Sequence, residues 1–127
     1  MKLFGKNKMY FFDSYAIIEI IKNSSGYDKF RETQIVTNAL HIAEVHYILA
    51  EFTGEKASDE TVKSLNINLI DITKEIAIEA SKLRFNNKKL KLSYADCLGY
   101  VCAINNNLKF LTGDDGLKKF DNVEFVK

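Results

Sequence analysis

Five short apolar runs punctuate the chain, at 9 to 12 (MYFF), 34 to 37 (QIVT), 67 to 70 (INLI), 108 to 111 (LKFL) and 123 to 126 (VEFV). Their length suits strands. Between them apolar residues recur at helical spacing over 14 to 23, 38 to 53, 56 to 65, 73 to 86 and 93 to 106, followed by a short turn at 114 to 119. Strands alternating with helices predict a parallel sheet covered on both faces, a three-layer α/β/α arrangement. The polar stretch 24 to 33 (SSGYDKFRET) reads as a loop or as a short extra helix. Gly54 stands where the second helix needs a C-terminal cap, and Ser93 followed by Asp96 is a capping-box variant opening the fifth.

Composition narrows this little but usefully. A chain of 127 residues, 46% hydrophobic, without proline and with 6 glycines, reads as a single domain over 1–127 with no linker and no repeat. Lys plus Arg at 18 against Asp plus Glu at 17 gives a net charge of +1, so any nucleic-acid binding must use a local patch. Cys97 and Cys102, five apart in one apolar stretch, fit neither a disulfide framework nor zinc spacing and read as reduced core thiols. No apolar run reaches the ~20 residues of a membrane span, and the opening MKLFGKNK lacks the apolar centre of a secretory signal. The expected setting is the cytoplasm.

The candidate chemistry lies in acids that interrupt apolar segments: Asp13 in MYFFDSYAII, Glu44 in IVTNALHIAEVHYILA, and Asp96 in LSYADCLGYVCAINNNL. Removing an ionised carboxylate from water costs several kcal/mol unless it is compensated. Asp13 follows the first strand and Asp114 the fourth, the end of an open sheet where ligands bind. Both also suit helix capping or turn chemistry, as does Asp115 in TGDDG. Asp96 has a capping role available from Ser93, while Gly99 and Ala103 suggest open space beside it. Glu44 falls in mid-helix, with Leu40, His41, Tyr47 and Ile48 one turn away, so it has no cap to make; a pairing with His41 or a lysine is the alternative to a ligand role. Four carboxylates over one crevice would raise one another's pKa, and such a hard oxygen set suits Mg²⁺ or Mn²⁺.

These residues resemble the PIN-domain ribonucleases, and among them the VapC-type toxins of toxin–antitoxin pairs. YFFDSYAII looks like the family's first strand with its Asp and Ser/Thr. ALHIAEVHYIL resembles the helix carrying the second acid, and KLSYADCLGYVCAINNNLKFLTGD the segment carrying the third and fourth. The resemblance implies a five-stranded sheet in the order 3-2-1-4-5, with metal held by Asp13, Glu44, Asp96 and Asp114. Ser14 and Thr112 would supply hydroxyls and Asp115 an auxiliary ligand. Two features depart from the pattern: eight residues precede Met9, and Leu117 stands where a Phe is usual.

The expected activity is therefore Mg²⁺- or Mn²⁺-dependent hydrolysis of RNA phosphodiester bonds, with an antitoxin as protein partner and a homodimer as assembly. The alternatives are a PIN nuclease that processes RNA without an antitoxin, and a PIN scaffold that binds without cutting. A further alternative is a phosphoacceptor receiver with Asp71 at the end of its third strand. The densest basic stretch, KLRFNNKKLK from Lys82 to Lys91, precedes the Asp96 helix. Arg84, Lys88, Lys89 and Lys91 are its candidate phosphate contacts, against a merely solvated helix end. Tyr27 and Phe30 of YDKFRE, or the helix near Phe52, are the candidate dimer surface.

Overall fold

A computed structural model describes residues 9–127, so the opening MKLFGKNK lies outside the described residues. The strands are β1 (Tyr10–Phe12), β2 (Ile35–Thr37), β3 (Ile67–Leu69), β4 (Lys109–Thr112) and β5 (Val123–Phe125). The helices are α1 (Ser14–Ile21), α2 (Ala39–Thr53), α3 (Glu55–Ser64), α4 (Lys74–Phe85) and α5 (Tyr94–Asn105). All five strands form one parallel sheet in the order β3-β2-β1-β4-β5. Every element matches its sequence expectation to within one or two residues. The undecided stretch 24 to 33 contains a short 3-10 helix, Ser25–Phe30, and the basic stretch adds a 3-10 turn, Lys88–Leu90.

Both faces of the central strands are buried, which is why they read as unbroken apolar runs. Successive residues diverge, Phe11, Val36 and Phe110 toward α4 and α5, Phe12, Ile35 and Leu111 toward α1, α2 and Tyr27. At the edge the pattern weakens: in β3, Asn68 and Leu69 are exposed. Tyr27 and Phe30 are core residues, the Tyr27 hydroxyl donating to the Val126 carbonyl at 2.6 Å, so they are not surface available to a second copy. Cys97 and Cys102 are free and buried. No helix among the described residues is long and apolar enough to cross a membrane.

The order places β1 beside β4, with Phe12 level with Leu111, and the Asp13 amide donates to the Leu111 carbonyl at 3.2 Å. Their carboxyl ends thus open onto one crevice at the point where the chain switches direction across the sheet. β3 lies at the edge, so Asp71 is remote from that point and exposed. A receiver-type sheet runs 2-1-3-4-5 with its third strand inside, and the observed order excludes it.

Candidate functional site

Asp13 is the buried acid, 4% exposed. It caps α1, its Oδ1 accepting the Ala16 amide at 2.9 Å, so the capping and the site readings hold together. Burial pushes its carboxyl up to about 7. The charges of Asp96 and Asp114 add to this, while the Thr112 hydroxyl and the Ala16 amide pull against it. Asp96 forms the full capping box with Ser93: its amide donates to Ser93 Oγ at 3.0 Å and its Oδ2 accepts the Ser93 amide at 3.1 Å. Burial raises this carboxyl too; Ser93 opposes the rise, and the charges of Asp114 and Glu44 reinforce it. Asp114 Oδ1 accepts the Gly116 amide at 3.4 Å, and its own amide donates to Thr112 Oγ1 at 3.0 Å. A Cβ placed on Gly116 would stand 3.7 Å from Asp96 Oδ2, so α5 and the turn after β4 face each other across the crevice.

Glu44 corrects the sequence expectation. It does not lie on a face packed against the sheet; its side chain is 40% exposed at the crevice rim, and Tyr47 one turn on is open to solvent. It pairs with its neighbours instead, accepting a hydrogen bond from Ser14 Oγ, with His41 Nδ1 3.6 Å away. The helix does bury a polar side chain, but that residue is His41. Its Nδ1 accepts the Ser14 amide at 3.1 Å, so the proton sits on Nε2, which donates to the Ala95 carbonyl at 3.0 Å. With Nδ1 occupied, the Ser14 hydroxyl, 2.8 Å away, directs its proton to Glu44. Burial lowers the His41 pKa, outweighing the Glu44 charge and the Ala95 carbonyl, so the ring is neutral.

One imidazole therefore ties together the start of α1, helix α2 and the first turn of α5, the three elements that carry Asp13, Glu44 and Asp96. The sequence signal was a His one turn before the acid on the same helix, which reads equally well as core. His46, by contrast, is half-exposed and pairs with Asp59 at 2.6 Å. The expected open space beside Gly99 and Ala103 is absent. A Cβ on Gly99 would meet His41 Nε2 at 2.7 Å, Phe110 at 2.8 Å and Phe11 at 3.1 Å, and Ala103 is fully buried. Gly113, between Thr112 and Asp114, has no room for a side chain because Tyr15 and the Val126 carbonyl, 2.5 Å from a built Cβ, close over it.

Asp13, Asp96 and Asp114 have no Lys or Arg within ion-pair distance among the described residues, whereas Asp115 lies 3.5 Å from Lys127. The acids lie near enough for charge to couple Asp13 with Asp96 and Asp114, and Asp96 with Asp114 and Glu44, but they do not close into a cage: among the described residues no group of three His, Cys, Asp or Glu is gathered to enclose an ion. A groove of about 440 Å³ is lined by Asp96, Asp114, Asp115 and Gly116 together with Lys89 and Lys91. Through Lys91 it adjoins a second, of about 430 Å³, lined by Arg84, Phe85, Lys88 and Tyr94. Arg84, Lys88, Lys89 and Lys91 thus flank the crevice, while Lys82 turns away to Glu79 at 3.4 Å.

A parallel 3-2-1-4-5 sheet with acids at the ends of β1 and β4 and on the two helices over them defines a class of α/β carboxylate-site domains. Residues 10–123 match the PIN domain, and the chain belongs to that family. Among solved structures it is similar to a toxin–antitoxin complex from Klebsiella pneumoniae, with 18% identity, 91% of this chain and 95% of that chain covered, and a TM-score of 0.71. It is also similar to VapBC2 from Rickettsia felis bound to a DNA fragment from their promoter, with 17% identity, 94% and 99% coverage, and a TM-score of 0.71. VapBC-1 from nontypeable Haemophilus influenzae gives 16% identity, 92% and 96% coverage, and a TM-score of 0.69. No curated protein sequence matches the chain.

Proposed function

We propose that this PIN domain is a Mg²⁺- or Mn²⁺-dependent endoribonuclease and the toxin of a toxin–antitoxin pair. The observation that carries the reading is Asp13: a carboxyl only 4% exposed at the end of β1, close enough to Asp96 and Asp114 to feel their charge, with no Lys or Arg within ion-pair distance among the described residues. The donor set fits a divalent cation of this kind. It is oxygen only, and Mg²⁺ is ordinarily held by one or two carboxylates plus waters, so an open crevice suits it better than a closed cage. Asp13, Glu44, Asp96 and Asp114 would hold the ion, with Asp115 as auxiliary. When bound, it supplies charge neutralisation at the phosphate and a water made acidic enough to attack.

The chain's own residues prepare that site. The Ala16 amide fixes the Asp13 carboxylate, the Ser93 capping box fixes Asp96, and Thr112 Oγ1 anchors the Asp114 backbone. Ser14 Oγ–H holds Glu44 toward the crevice, and neutral His41 holds Ser14. Arg84, Lys88, Lys89 and Lys91 bring positive charge to a crevice that would otherwise repel a phosphodiester. Support for the antitoxin comes from the three similar structures, one a toxin–antitoxin complex and two of VapBC. A cytoplasmic setting and a homodimer belong to the same reading; for the latter the exposed Tyr47 and Phe52 of α2 offer apolar surface.

The test is cleavage of a mixed RNA pool by the wild type and by Asp13→Ala, each with Mg²⁺, with Mn²⁺ and with chelator. Expected is cutting by the wild type with either metal only. Cutting that survives Asp13→Ala or chelation would sink the proposal.

A further inference from the structure

We infer that the groove between the end of α4 and the start of α5 is a stacking site for one base of the RNA strand, built by Tyr94, Phe85 and the Arg84 guanidinium. This rests on the nuclease reading and adds a base contact beside its acids. Two large aromatic side chains face solvent there, Phe85 at 67% and Tyr94 at 52% exposure. Each carries a cation on its ring: the Arg84 guanidinium carbon lies 4.4 Å from the Tyr94 centroid, and Lys88 Nζ 4.4 Å from that of Phe85. The guanidinium plane is held in place, because Arg84 Nε donates to the Leu92 carbonyl at 2.9 Å.

Charge identifies the occupant. Arg84, Lys88, Lys89 and Lys91 have no acid within ion-pair distance among the described residues, whereas Arg31, Lys22 and Lys82 each have one. On a chain of net charge +1 this is a concentrated, uncompensated positive strip. Cations alone would bind phosphate on any polyanion; exposed rings and a fixed guanidinium plane among them add faces that fit a planar, apolar ligand with a phosphate attached. A duplex keeps its base faces stacked on one another and cannot present them, so the ligand is an unpaired strand. The groove, about 430 Å³, also leads somewhere useful: Lys91 and Leu92 line both it and the neighbouring groove that holds Asp96 and Asp114. A strand whose base stacks at Tyr94 passes its backbone by Lys91 into the acid crevice.

The experiment measures binding apart from cutting. The full chain carrying Asp13→Asn is titrated, in Mg²⁺, into a short unpaired RNA bearing one 2-aminopurine and into the duplex of the same sequence. Adding Tyr94→Ala should weaken unpaired RNA by roughly 5- to 100-fold, the size of one lost stacked base, and abolish the 2-aminopurine signal; Phe85→Ala should weaken it in the same sense. Tyr94→Phe should bind like its parent, and duplex affinity should change less than about twofold. Thermal unfolding of each variant confirms that these exposed substitutions leave the fold intact. Equal losses for duplex and single strand, or none for either alanine variant, would overturn the proposal. So would displacement by polyglutamate with RNA affinity unaffected by Tyr94→Ala, which would reassign the groove to an acidic peptide. Tyr94-dependent stacking in a wild-type protein that cuts no RNA would refute the nuclease reading while leaving the groove assignment standing.

Discussion

Replacing Asp13 by Asn should make the protein more stable at neutral pH in metal-free buffer, although it removes the central acid of the site. The carboxyl rises from its ordinary 3.8 to about 7 in the folded chain, with burial the largest cause. In the unfolded chain it titrates near its ordinary value. Below about pH 4 both states keep the proton and the carboxyl costs nothing. Between about 4 and 7 the unfolded chain releases it while the folded chain retains it, so stability falls as pH rises; above about 7 the full penalty is present. At about 1.4 kcal/mol per pH unit that penalty is on the order of 4 kcal/mol, a large share of the ~5–15 kcal/mol that holds a domain together. Asn is nearly isosteric, keeps an oxygen for the Ala16 amide and carries no charge. Urea unfolding of both proteins from pH 4 to pH 8 with chelator present gives the difference directly, since the other titrating groups are common to both. The variant should gain nothing at the acid end and several kcal/mol at the alkaline end. Mg²⁺ should then recover the wild type by about 2.7 kcal/mol at a hundredfold excess over its Kd, and Asp13→Asn by much less. Parallel curves across the whole range would refute the reasoning, because an unperturbed carboxyl leaves no pH-dependent gap.

Gly99→Ala should cost about 1–3 kcal/mol, since its Cβ would lie 2.7 Å from His41 Nε2 and 2.8 Å from Phe110 in a packed interior. In a His41→Ala background that cost should shrink, and a double-mutant cycle on urea midpoints that showed no coupling would contradict the packing described. Burial pushes the Cys97 thiol up to about 11 and raises that of Cys102, and neither is exposed. Iodoacetamide at pH 8 should therefore label both only as fast as the chain unfolds; mass spectrometry showing rapid labelling of the native protein would overturn their assignment as inert core thiols.

The strands were legible because a central parallel strand has two buried faces and cannot alternate: Phe11 and Phe12 are neighbours in sequence and both belong to the core, one in each layer. Helix limits were legible through caps that need a particular residue, such as Ser93 with Asp96, or Gly54, whose φ of 93° ends α2. Strand order was not, since no local pattern says that β3 pairs with β2 at the edge; it came from the family resemblance. The site shows a different limit. Apolar neighbours along α2 made Glu44 look like the costly acid, yet they do not fix how deep one side chain sits, and Glu44 reaches the Ser14 hydroxyl at the start of α1. Glu44 lies there, half in water, while the polar group buried on that helix is His41, one turn earlier. Helix capping offered a second explanation for Asp13 in the sequence, but the hydrogen bonds its carboxylate accepts from the Ala16 amide and the Thr112 hydroxyl do not replace the water that burial excludes from it. Capping and ligand roles are therefore not alternatives at this position. The cap orients the carboxylate, burial makes its charge costly, and the two together leave a fixed, under-compensated anion at the β1/β4 switch point, where a divalent cation gains the most by binding.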